Sequence, residues 1–131
     1  MSDQRIVYVE DNADIQLLYG EYLRSAGYDV ECSSHPEAAL EIINNNPPDL
    51  IIMDVQLPDM DGIELTIRLK ADPATAEIPV YILSSFAMDR DKERAAQAGC
   101  DLYLTKPISP ALLLEHVRKF FAARESGSPA G

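Results

Sequence analysis

Carboxylates, a hydroxyl and a lysine stand at the ends of apolar runs in this chain. Glu10 and Asp11 follow "RIVYV", Asp54 closes "LIIMD", Ser84 closes "VYILS" and Lys106 follows "LYLT". Runs of this length, rich in Ile, Val and Leu, read as buried strands, so each polar group marks a place where the chain leaves the core. In open parallel α/β sheets, ligands bind beyond the carboxyl ends of the strands, where the strand order reverses. If the first and third strands are neighbours, Glu10, Asp11 and Asp54 meet at one rim, with Ser84 and Lys106 on the same side. Two carboxylates about 4 Å apart repel by about 4 kcal/mol at an effective dielectric of about 20. A proton on one acid, pairing with Lys106, or a divalent cation relieves that repulsion. Oxygen-only donors select a hard cation, and Mg2+ suits a site that leaves coordination positions to water and phosphate oxygens. A carboxylate held beside a metal ion and a lysine is equipped to attack phosphorus, both cations offsetting charge on the transferring oxygens. Asp54 is the nucleophile in this reading.

Taken singly, each residue has a plainer explanation. Asp54 could simply mark a strand end, Glu10 and Asp11 could be turn residues with Asp11 or Asn12 capping the next helix, and Lys106 could be a solvated surface charge. Their convergence on one rim is what favours chemistry.

The rim depends on the elements that position it. Five strand-length runs recur: "RIVYVE" from Arg5, "YDVEC" from Tyr28, "LIIMD" from Leu50, "PVYILSS" from Pro79 and "LYLT" from Leu102. Helical patterns separate them. Ile15, Leu18, Tyr19, Tyr22, Leu23 and Ala26 follow the i, i+3, i+4 series, and Gly27 stands where a left-handed cap is wanted. Pro36 and Pro110 suit the first turns of the second and last helices, the latter with Ser109 as N-cap and an apolar stripe of Leu113, Val117, Phe120 and Phe121. Residues 62–71 and 89–98 supply the third and fourth helices. Five alternations of strand and helix predict a doubly wound α/β fold with a parallel sheet covered on both faces. The domain spans residues 1–124, and the small, polar "ESGSPAG" of residues 125–131 reads as a flexible tail or the start of a linker.

Composition narrows the function classes. With 22 acidic against 11 basic residues the net charge is −11, which disfavours direct nucleic-acid binding, since that relies on basic residues displacing counterions. No apolar run is long enough to cross a bilayer and the start lacks a signal-peptide pattern, so a cytoplasmic location without membrane association is expected. Cys32 and Cys100 read as reduced thiols. His35 and His116 lie in unrelated patterns and make no zinc site.

The segments "VYVEDN", "LIIMDVQLPDMDG", "IPVYILSSFA" and "GCDLYLTKPIS", in this order and at these intervals, resemble the receiver domain of two-component response regulators over nearly the whole chain. The resemblance implies the flavodoxin-like (βα)5 fold with strand order 2-1-3-4-5. It implies that Asp54 is the phosphoacceptor, taking a phosphoryl group from a histidine kinase or a histidine phosphotransfer protein. Glu10, Asp11, Asp54 and the backbone carbonyl of Gln56 would hold Mg2+; Ser84 and Lys106 would contact the phosphoryl group. Tyr103 matches the aromatic switch residue that turns inward as Ser84 moves, and Pro107 matches a proline that follows a cis peptide bond. Gln56 and Phe86 fall at positions that tune dephosphorylation. The fourth helix, fifth strand and last helix would present the output surface to a downstream protein. Such a module is no enzyme in the ordinary sense, catalysing only its own phosphorylation and dephosphorylation. No DNA-binding or catalytic output domain follows the receiver pattern, so a stand-alone regulator or phosphorelay intermediate is implied, unless the chain was cut from a longer one.

Three departures from the family pattern stand out. Glu10 replaces the commoner aspartate, Ser84 the commoner threonine, and Ser85 a small alanine or glycine. Competing readings fit less well. A haloacid-dehalogenase-type phosphatase carries a second aspartate two residues after its nucleophile, where this chain has Gln56. A flavodoxin-like FMN carrier needs a phosphate loop after the first strand, where "EDNADI" is acidic and repels phosphate. The alternative of a receiver-like protein-binding scaffold that is never phosphorylated leaves the set Asp11, Asp54, Ser84 and Lys106 without a purpose.

Overall fold

The computed structural model describes residues 4–125. Strands β1 (Arg5–Val9), β2 (Asp29–Ser33), β3 (Leu50–Met53), β4 (Val80–Ser84) and β5 (Leu102–Thr105) alternate with helices α1 (Ala13–Ser25), α2 (Pro36–Asn45), α3 (Gly62–Ala71), α4 (Asp89–Ala98) and α5 (Pro110–Glu125). The strands form one sheet in the order β2-β1-β3-β4-β5, every pair parallel. This is the predicted doubly wound (βα)5 architecture, and the predicted runs match the strands to within about a residue at each end.

Alternation along the strands makes two cores. Ile6, Tyr8, Leu50 and Ile52 face one side with Tyr19 and Leu23 of α1 and Leu113, Val117 and Phe121 of α5. Val7, Val9, Ile51 and Met53 face the other, against Ala39 and Ile43 of α2, Ile63, Leu65 and Leu69 of α3, and Ala95 of α4. The apolar character of β1 and β3 on both faces follows from this double cover.

Asn12, Gly27 and Ser109 set helix ends as expected, and Asp61 and Gly99 add two that the sequence reading did not single out. Asn12 caps α1 by accepting from the Ile15 N–H at 3.0 Å, and Asp61 caps α3 by accepting from the Glu64 N–H at 2.8 Å. Ser109 accepts from the Leu112 N–H at 3.0 Å at the start of α5. Gly27 follows α1 with φ of 103°, and Gly99 follows α4 with φ of 101°. One expectation needs narrowing: of the α1 stripe, Tyr19 and Leu23 are buried, but Leu18 is 53% and Tyr22 40% exposed. Ile15 and Ala26 are partly buried against the same core, so the covered line runs Ile15, Tyr19, Leu23, Ala26, and Leu18 and Tyr22 flank it on the exposed side. Glu125 is the last residue of α5; residues 126–131 of the expected tail lie outside the described residues. Among the described residues, no helix is long and apolar enough to cross a membrane.

Candidate functional site

Register brings the acids together. Val9 pairs with Met53 at the ends of β1 and β3, so Glu10 and Asp54 emerge side by side one residue further on. Backbone bonds continue the ladder beneath them: the Glu10 N–H donates to Ser33 O at 2.9 Å and the Asp54 N–H to Val9 O at 3.0 Å. On the other flank Ser84 pairs with Thr105, which delivers Lys106 at the same rim, its N–H donating to Ser84 O at 2.7 Å. The peptide bond between Lys106 and Pro107 is cis, and the Tyr19 hydroxyl of α1 donates to Ile108 O at 2.7 Å, tying that loop down.

Lys106 Nζ bridges two buried carboxylates, at 2.8 Å from Glu10 Oε1 and 3.0 Å from Asp54 Oδ2. Glu10 is 1% and Asp54 5% exposed. The second Glu10 oxygen accepts from the Asn12 N–H at 3.1 Å, and Asp54 Oδ1 accepts from the Gln56 N–H at 3.2 Å. Burial pushes the Glu10 carboxyl above its ordinary range, and the neighbouring Asp54 adds to that, against the opposing hydrogen bond from Lys106. For Lys106, burial alone would favour the neutral amine, but the hydrogen bond to Glu10 and the charge of Asp54 outweigh it and raise its pKa. The ammonium therefore stays charged at neutral pH.

Asp11 is exposed at the edge of the cleft. One oxygen each from Glu10, Asp11 and Asp54 lies within 4.8 Å of the others. A donor set of carboxylates only, two buried and one facing solvent, fits a hard divalent cation with open positions toward the cleft. Gln56 lines the same cleft.

The hydroxyl residues divide differently from expectation. Ser84 is fully buried, and its Oγ accepts from the Phe86 N–H at 3.1 Å. The cleft wall is Ser85. Tyr103 is half-buried, and its hydroxyl donates to Phe86 O at 2.6 Å, so this tyrosine is tied to the loop that Ser84 anchors. Burial raises the Tyr103 phenol, with a hydrogen bond to Ser84 opposing it. Phe86 itself is 37% exposed beside the cleft.

Two contributors escaped sequence reasoning. Gly62 was read only as the start of a helix, yet a Cβ there would lie 2.0 Å from Asp54 O and 2.9 Å from Asp54 C. Only glycine lets α3 begin against the backbone of Asp54, where the Gly62 N–H donates to Val55 O at 2.8 Å. The signal was present in "PDMDG", where a helix start needs no glycine for its own sake. Tyr8, read as a strand residue, is 1% exposed with its hydroxyl 3.5 Å from Glu10 Oε1. Burial first, then the charges of Glu10 and Asp54, raise its phenol far above the ordinary value.

An acid-lined rim at the switch point of a five-stranded sheet in the order 2-1-3-4-5 defines a receiver of the CheY-like class, and comparison with known proteins agrees. The response regulator receiver domain family matches residues 6–118. The polar-differentiation response regulator DivK of Brucella anthropi is 36% identical over 115 residues, which cover 88% of this chain and 94% of that protein. A CheY-like receiver domain protein from Methanospirillum hungatei JF-1 superposes with a TM-score of 0.88 at 28% identity, over 97% of this chain and 100% of that one. The receiver domain of a sensor histidine kinase from Pseudomonas aeruginosa PAO1, whose structure has a magnesium ion coordinated in the active-site cleft, superposes with a TM-score of 0.83 at 31% identity, over 92% and 99% of the two chains. The chain belongs to the response regulator receiver domain family.

Proposed function

We propose that this receiver is switched by phosphorylation of Asp54. The observation that carries the reading is the Lys106 ammonium bridging the buried Glu10 and Asp54 carboxylates, with an Asp11 oxygen in the same cluster. The donor is a phosphohistidine on a histidine kinase or a phosphotransfer protein. An Asp54 carboxylate oxygen forms the new bond to phosphorus as the donor's P–N bond breaks, and the electron pair of that bond returns to the imidazole nitrogen. Lys106, already 3.0 Å from Asp54 Oδ2, is placed to donate to the transferred oxygens. Glu10, Asp11, Asp54 and the Gln56 carbonyl would hold Mg2+, which when bound shares the negative charge of the phosphoryl oxygens. The magnesium in the cleft of the P. aeruginosa receiver supports this assignment.

Readout follows from the Ser84 loop. A phosphoryl group brings charge and strong acceptor oxygens, which attract the Ser84 hydroxyl and with it the loop carrying Phe86. Because Tyr103 is bonded to the Phe86 carbonyl, that movement reaches β5 and the adjoining α4 and α5, the surface offered to a downstream protein. The chain's own chemistry ends with gaining and losing the phosphoryl group.

Treatment with phosphoramidate and Mg2+, followed by intact-mass measurement, tests the reading. The native chain gains one phosphoryl group and Asp54→Asn gains none; equal labelling of both would refute Asp54 as the acceptor.

A further inference from the structure

Strand β1 carries a tyrosine where the core asks only for an apolar side chain. Tyr8 is 1% exposed and belongs to the core that includes Ile6, Tyr19, Leu23 and Ile52, yet it keeps a hydroxyl. Buried phenol hydroxyls are normally hydrogen-bonded. Among the described residues, the partner of this one is Glu10 Oε1, at 3.5 Å. The same oxygen accepts from Lys106 at 2.8 Å, while the other Glu10 oxygen accepts from the Asn12 N–H at 3.1 Å. The carboxylate is thus gripped from three directions: the loop, the lysine and the core.

We infer that Tyr8 is a positioning residue of the acidic site, its hydroxyl steadying the Glu10 carboxylate from the core side for magnesium and supporting the shared oxygen when Lys106 turns to a phosphoryl group. The inference rests on the reading of Glu10 as a magnesium ligand. Its physical basis is the unequal sharing of Oε1. At 3.5 Å the phenol contact is long beside the lysine's 2.8 Å, so the lysine dominates in the resting protein. Once the lysine is drawn to phosphoryl oxygens, the buried carboxylate loses its strongest donor, and the phenol is the neighbour with distance left to close. Groups that hydrogen-bond to metal ligands orient them, and their loss typically weakens metal binding by about 10- to 100-fold.

The test is titration of the full chain with magnesium chloride alone, followed by calorimetry at constant ionic strength, for the native protein, Tyr8→Phe, Glu10→Gln and the double variant. Tyr8→Phe removes one oxygen and keeps the ring, and is expected to weaken Mg2+ binding about tenfold, an effect that largely vanishes in the Glu10→Gln background. Unchanged affinity in Tyr8→Phe, or an equal loss with Glu10 already removed, overturns the inference. A second readout uses the absence of tryptophan, which leaves six tyrosines to dominate the near-ultraviolet spectrum. The tyrosine difference spectrum on adding Mg2+ should lose most of its amplitude in Tyr8→Phe, and full retention counts against the idea. If the native chain is labelled on Asp54 and binds Mg2+ while Tyr8→Phe binds it equally well, the positioning role alone fails. If the native chain does neither, the phosphorylation reading fails and takes this inference with it.

Discussion

Lys106 holds two acids that would otherwise repel each other inside the protein, and its removal should expose that cost. Breaking a buried ion pair by deleting one partner typically destabilises by about 3 kcal/mol or more, and the Lys106 side chain is only 11% exposed. Lys106→Met is therefore expected to lower stability by about 3 kcal/mol at neutral pH. The pH dependence follows from Glu10, whose carboxyl is raised in the folded state by burial. A carboxyl of this kind binds its proton more tightly folded than unfolded, so its contribution favours the fold below the ordinary glutamate range and is lost as pH rises through the folded value. The Lys106→Met deficit should accordingly shrink between about pH 8 and about pH 5. Urea melts at the two pH values check this, and a deficit independent of pH would contradict the assignment. If Glu10 holds Mg2+ as proposed, the affinity should rise with pH, because the ion would compete with the proton on Glu10.

At the scale of elements, the start of α3 is fitted to the backbone of Asp54. A methyl at position 62 would overlap Asp54 O, so Gly62→Ala must either push the helix start away or shift Asp54. Overpacking of this kind costs about 1–3 kcal/mol. The expected outcome is a stability loss of that size together with slower labelling of Asp54 by phosphoramidate. Asn12→Ala gives the contrast. It removes the side-chain cap of α1 and should cost about 1 kcal/mol, but it keeps the backbone N–H that Glu10 uses, so labelling should persist. Thermal melts paired with intact-mass time courses separate the two cases.

For the molecule as a whole, a net charge of −11 makes the folded state sensitive to any salt. Specific magnesium binding should appear as stabilisation beyond that of sodium chloride at equal ionic strength. A single-site ligand at about a hundred times its dissociation constant adds about 2.7 kcal/mol, roughly 10 °C in Tm for a chain of this size. Asp11→Asn, which removes the solvent-facing carboxylate of the cluster, should reduce the magnesium-specific part and leave the general salt effect. Scanning calorimetry in matched buffers measures both, and an equal response to the two salts would rule out a metal site.

Sequence alone determined what is local. Apolar runs ending in Asp54 and Lys106, the i, i+4 spacing of Tyr19 and Leu23, the Asn12 and Ser109 caps and the glycine after α1 all express energies settled within a few residues, and they were legible without coordinates. Even the rim of acids followed from where the strands stop, once the first and third were taken as neighbours. Tertiary structure decided which polar groups share atoms. Glu10 and Lys106 are 96 residues apart, and Asp54 and Lys106 52; no periodicity links them, and only the successive pairing of β1 with β3, β3 with β4 and β4 with β5 brings them within about 3 Å. The same holds for Ser84 and Ser85, adjacent residues of one type, of which the end of β4 buries the first and leaves the second on the cleft. It holds for Gly62, whose missing Cβ matters only because Asp54 O arrives there, and for Tyr8, a strand residue by pattern that becomes a hydrogen-bond donor because Glu10 folds back within its reach.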